Sequence, residues 1–179
     1  MASAFGHALA SVALGTGFSK TVKSWKFWML GMICSIFPDA DVITFQFGIA
    51  YGSFWGHRGF SHSFLFAIIL GVVVTFTFYQ NLKFGWKWFG LTAFFTLSTA
   101  SHSILDAMTS GGLGVAFFSP WDDTRYFFPW RPIQVSPIGV ENFFSEWGQR
   151  VLLSELIWIG IPSVVYMSIV GLLKWLKNR

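Results

Sequence analysis

The sequence predicts an all-α fold: a polytopic membrane bundle of about five hydrophobic helices, some short, with a long interfacial loop before the last. Three observations carry this reading. Apolar residues make up 54% of the 179-residue chain and charged residues only 11%, against about 25% charged for an average soluble domain. Aromatic residues reach 20%, with 10 Trp and 22 Phe, more than a small core needs and suited to a chain with lipid around it and Trp at the interfaces. The apolar residues also gather into runs that lack the polar face of a soluble amphipathic helix. Residues 1–179 are read as a single membrane-embedded domain.

The first run, residues 2–18, is rich in Ala, Gly and Ser, which let helices approach closely. No basic stretch precedes it, so a retained helix is expected rather than a cleaved leader. The second run, residues 25–37, is short and is expected to stop at Pro38. Residues 63–80, 86–105 and 151–173 are each near the length of about 20 residues that crosses a bilayer. The last contains Pro162, which a membrane helix tolerates. Cys34 lies inside the second run, so there is no disulfide framework.

Charge sets an orientation. With Lys20, Lys23 and Lys26 on the cytoplasmic side, five alternating crossings put Lys83, Lys87, Lys174, Lys177 and Arg179 there too. All 8 carboxylates then fall on the other side, with Arg58, Arg125, Arg131 and Arg150. That matches the positive-inside rule, with the N-terminus outside and the C-terminus cytoplasmic. The net charge of +4 is therefore spread along the flanks of apolar runs, and no nucleic-acid partner is expected. The 4 histidines play no part in setting this orientation, yet His7, His57, His62 and His102 all arrive at the outer edge.

Aspartates meet them there. Asp39 and Asp41 follow Pro38, His57 and His62 bracket an Arg58-Gly59 turn, and His102 and Asp106 are four apart on one helix face. Ser11, Ser61, Ser101 and Thr109 are nearby polar residues of the kind that also glues membrane helices together. Asp122 and Asp123 read as ordinary loop residues. Imidazole nitrogen with carboxylate oxygen is the donor set of Zn²⁺, Mn²⁺ or Fe²⁺, and Zn²⁺ is the expected ion. The candidate ligands are His7, Asp39, Asp41, His57, His62, His102 and Asp106, enough for two ions bridged by a carboxylate. Asp39, Arg58 and Asp106 are the candidate catalytic residues, with Arg58 as a planar clamp for phosphate. Two-metal sites suit phosphoester hydrolysis. A metal carrier is the rival reading, although no internal repeat is visible and the ligands cluster at one edge. A haem protein is disfavoured, because haem takes axial ligands and no carboxylates.

These residues also carry a resemblance. His7, the Pro38-Asp39-x-Asp41 run, His57-Arg58-Gly59-x-Ser61-His62-Ser63 and Ser101-His102-x-x-x-Asp106 resemble the YdjM-like family, as do the Phe118-Ser119-Pro120 and Val135-Ser136-Pro137 stretches. That family is described as LexA-regulated, membrane-bound metal-dependent hydrolases of bacterial inner membranes. The resemblance covers most of the chain and implies a metal-dependent hydrolase. Gly6 and Ser61 depart from the Thr often found there, and both departures leave the candidate ligands in place. The motifs are more loosely similar to those of zinc-dependent phospholipase C enzymes, which implies a phosphoester substrate.

About forty residues separate the fourth and fifth runs, with Pro-punctuated aromatic patches around Trp121 and Trp130. A loop of this length is expected to be a lid, a binding surface or a shielding cap. Arg125 and Arg131 are placed to meet lipid phosphates, so a lipid or lipid-linked phosphate is the expected substrate.

Overall fold

The computed structural model describes residues 1–18, 24–137 and 145–179. Lys20 and Lys23, on which the orientation partly rests, lie outside the described residues, as do residues 138–144 of the long loop. Among the described residues there are five main helical runs and no strand. They are α1 (Ala4–Phe18), α2 (Trp25–Ile36), α3 (Phe64–Phe78), α4 (Trp86–Ala107) and α5 (Glu146–Lys177).

The second run goes further than its sequence suggested. Pro38 has no amide hydrogen to donate, so the α-helical ladder cannot pass through it. The chain does not leave the helical path there; it tightens into a 3-10 helix from Phe37 to Phe47, with Pro38 in its first turn. Trp25–Phe47 thus becomes a 23-residue run long and apolar enough to cross a membrane, and among the described residues Glu146–Lys177 is the other. The third run is shorter than expected. Ser63 caps it by accepting from the Phe66 amide at 3.0 Å, leaving 15 residues, or about 22 Å of helix, in α3. α5 accommodates Pro162 differently. Residues Leu156–Gly160 widen into a π-helical turn immediately before it.

α4 is the central element and packs against α1, α2 and α3. Its first half forms the core with α2 and α3, where Phe27, Leu30, Cys34, Val74, Leu91, Phe94 and Phe95 meet. Phe27 and Phe94 stack at 4.1 Å. Small residues set how close the helices come: a Cβ on Gly31 would stand 2.5 Å from the Phe94 ring. Ser11 and Ser98 share a hydrogen bond of 3.0 Å between α1 and α4, so Ser11 works in packing.

The other half of α4, with the start of α1 and the start of α5, holds the polar interior. Glu155 of α5 is buried and takes both the amide and the hydroxyl of Ser3, which fixes the entry to α1. The long loop closes over this end. Val115 and Tyr126 exchange backbone hydrogen bonds, Phe64 donates to Phe117, and Ala116 donates to the Arg58 carbonyl. Val115, Ala116, Phe117 and Ile133 point inward, while Trp121 and Trp130 stay exposed.

Candidate metal centre

Four segments converge beneath that loop. The start of α1 supplies His7, the 3-10 helix after α2 supplies Asp39 and Asp41, the turn before α3 supplies His57, Arg58 and His62, and the end of α4 supplies His102 and Asp106. The i, i+4 spacing of His102 and Asp106 places both on the buried face of α4, as the sequence indicated. All four histidines, Arg58 and Asp106 are at most 1% exposed, and Asp39 is 8% exposed.

One group of donors closes on a common point. His62 Nε2 and His102 Nε2 are 3.0 Å apart. Asp39 Oδ1 lies 3.4 Å from His102 Nε2 and 3.8 Å from His62 Nε2. Asp106 Oδ2 lies 3.9 and 3.7 Å from the same two nitrogens. Four ligands held at about 2.0–2.2 Å around a tetrahedral ion stand roughly 3.3–3.6 Å apart, so these spacings suit a divalent cation.

Proton placement strengthens the fit. His102 Nδ1 is 2.8 Å from the Ser35 carbonyl, which can only accept, so that nitrogen carries the hydrogen. His62 Nδ1 faces Asp41 Oδ2 at 3.2 Å and Ser61 Oγ at 3.0 Å, and Ser61 itself donates to Asp41 at 2.6 Å. In neutral rings both Nε2 atoms therefore present lone pairs to each other. Asp39 Oδ1 is buried with no hydrogen-bond partner, and Asp106 Oδ2, equally buried, has only the Arg58 ion pair at 3.0 Å. Two lone pairs and two carboxylate oxygens aimed at one point, with Arg58 beside only one of them, suit a cation or protons between them. Burial by itself lowers the His62 pKa, but the nearby carboxylates of Asp39 and Asp41 outweigh it and raise it to about 9.

The remaining candidates take other places. Asp41 pairs with His57 Nδ1 at 2.6 Å and accepts from the Arg58 amide at 3.1 Å. Asp41, His57 and His62 form a second group of donors, but it shares His62 with the first and uses that ring's opposite nitrogen. His7 stacks on His102 at 3.8 Å with its Nε2 3.5 Å from Asp106 Oδ1, beside the four-donor group rather than in it. Both of its ring nitrogens lack hydrogen-bond partners.

Arg58 was expected to offer its fork to a phosphate. Its fork instead closes inside the protein. Nε is 3.0 Å from Asp106 Oδ2, one terminal nitrogen donates to the Gly111 carbonyl at 2.9 Å, and the other donates to Thr109 Oγ1 at 3.0 Å. Its backbone sits at φ 62, in the left-handed region that side chains rarely enter and that functional turns tolerate. Gly112 makes room for the guanidinium, since a Cβ there would stand 2.6 Å from it.

Some partners left no sequence signal. The Ser35 carbonyl and the Ala2 amide, which donates to Asp106 Oδ1 at 2.7 Å, are backbone groups. Glu155 could have been found as a carboxylate within an apolar run. Asp122 and Asp123 stay in the loop, accepting from Thr124 and Ser119 respectively.

Comparison with known proteins points to one family. The family model described as YdjM inner membrane protein matches residues 1–176. Inner membrane protein YbcI of Escherichia coli (strain K12) is 38% identical over 177 residues, covering 96% of each chain. No solved structure matches. The chain belongs to the YdjM inner membrane protein family.

Proposed function

We propose that the protein is a membrane-embedded metal-dependent hydrolase that cleaves a phosphoester of a lipid or lipid-linked substrate on the outer side of the membrane. The observation that carries the reading is the pair of Nε2 atoms 3.0 Å apart, flanked by the buried carboxylate oxygens of Asp39 and Asp106, the first of them without a hydrogen-bond partner. Asp39, His62, His102 and Asp106 would hold the ion. Zn²⁺ is the first choice for this donor set, with Mn²⁺ or Fe²⁺ as alternatives. When bound, such an ion supplies Lewis acidity and lowers the pKa of a coordinated water toward neutral.

The chain's own residues divide the remaining work. Asp41 and the Ser35 carbonyl hold the Nδ1 protons of His62 and His102, so both Nε2 atoms face inward. Arg58 fixes Asp106 and offsets its charge. His7 is placed to accept or return a proton at Nε2, which has no hydrogen-bond partner and lies 3.5 Å from Asp106 Oδ1. The loop over Arg58 and the turn before α3 keep bulk water out. One shared histidine supports a single ion more readily than two.

A specific observation favours a second reading, a metal-binding membrane protein without hydrolase activity. Four protein donors, nearly all fully buried, can saturate a tetrahedral ion and leave no position open, as structural zinc sites do. Purified protein should be assayed against soluble and lipid phosphoesters, alongside His7→Ala and His102→Ala. Hydrolysis lost in both variants, with metal kept in His7→Ala, is the expected result. A metal-loaded protein inert toward every ester supports the second reading.

A further inference from the structure

Among the residues of the four-donor group, Asp39 alone reaches the surface, and it does so in an apolar setting. A groove of about 370 Å³ runs along the junction of α2 and the 3-10 helix, lined by Ile33, Ile36, Phe37, Ala40 and Asp39. Asp39 is its sole polar wall, and Asp39 Oδ1 is the buried, partnerless oxygen that faces His102. Ile33, Phe37 and Ala40 are exposed on the 23-residue run that is long and apolar enough to cross a membrane. His62, His102 and Asp106 show no exposed surface at all.

We infer that the site is entered sideways from the bilayer through this groove, whose occupant is an acyl chain of an anionic phospholipid that delivers its phosphate to the Asp39 edge of the cluster. Placement of the phosphate beside the Asp39 carboxylate, and any cleavage there, rest on the metal-dependent hydrolase reading; the acyl chain in the groove does not. A bilayer-spanning helix presents its grooves to hydrocarbon, so a fatty chain that fills this one meets apolar side chains everywhere but at the Asp39 edge. Its volume falls within the range of about 300–1,000 Å³ that small-molecule sites occupy. A soluble phosphoester would gain nothing from Ile33, Ile36 or Phe37, and from the loop side it would meet Arg58 already sealed by Thr109 and Gly111.

The test uses Ile33→Trp and Ala40→Trp, two exposed positions outside the donor group where a larger side chain blocks the groove without burdening the core. Protein in detergent is titrated with dioleoyl phosphatidic acid, and bound lipid and bound metal are counted together by native mass spectrometry. Each variant is expected to weaken lipid binding at least about tenfold, the loss of roughly two buried methylenes, with metal content unchanged. Lipid binding equal to wild type in both variants overturns the groove. Wild type that holds no metal, yet loses lipid in both variants, would keep the groove and remove the metal reading. Metal retained throughout with no lipid effect removes the groove alone.

Discussion

At the scale of single residues, the decisive feature is where protons sit on His62 and His102. Their Nδ1 hydrogens are committed to Asp41 and to the Ser35 carbonyl, so in the neutral rings the inward Nε2 atoms are free to act as ligands. Asp41→Asn weakens the acceptor that holds His62 in that tautomer. Metal affinity, measured by competition with a chelator, should fall about 10–100-fold, the usual effect of losing such an outer partner. An unchanged affinity would show that Asp41 does not orient the ring. The raised pKa of His62, about 9, adds a pH signature. In the metal-free protein this group binds its proton more tightly folded than unfolded. It therefore stabilises the fold fully below its ordinary 6.5, and that contribution is lost as pH rises through about 9. An entering ion must displace the same proton. Calorimetry in buffers of different ionisation enthalpy should record proton release at pH 7, with affinity rising toward pH 9. Uptake without proton release would contradict the assignment.

At the scale of elements, the 3-10 helix after α2 matters most, because it carries Asp39 and Asp41 to the cluster. The sequence announced Pro38 as a stop, and a stop to the α-ladder is what it is. The path beyond it was not legible, since a 3-10 continuation depends on packing against α4 and the turn before α3. The ends of α4 and the facing of His102 with Asp106 were legible, because a four-residue spacing on a long helix leaves little freedom. The fate of Arg58 was not. Its partners Gly111 and Thr109 lie more than fifty residues away, and only the folded loop brings them near. Helix approach is also set at this scale. Gly31→Val pushes a side chain into the Phe94 ring and should destabilise the bundle by about 1–3 kcal/mol, the ordinary cost of overpacking. A lower thermal midpoint in detergent checks this, and an unchanged midpoint would mean that α2 and α4 can separate freely.

At the scale of the whole molecule, the bundle has two chemically different ends. Lys26 of α2 bonds the Phe78 carbonyl at the end of α3, and Lys174 of α5 bonds the Thr16 carbonyl near the end of α1. The histidines and aspartates gather at the opposite helix ends. This separation underlies the proposal that the lysine end is cytoplasmic and the cluster faces outward. Trp121→Cys places a thiol on the exposed loop, while the native Cys34 is buried. In intact spheroplasts that thiol should react with a membrane-impermeant maleimide, and a C-terminal fluorescent fusion should be bright. Labelling only after lysis would reverse the orientation.

Occupancy of the Asp39, His62, His102 and Asp106 cluster by a divalent ion underlies every functional step proposed for this chain. It is tested most directly by elemental analysis of the purified protein after exposure to Zn²⁺, Mn²⁺ or Fe²⁺ and removal of loose metal. One ion per chain is expected in wild type, with that ion lost in His102→Ala and Asp106→Asn while both variants remain folded. Wild type that retains no ion, or variants that retain it undiminished, would contradict the assignment.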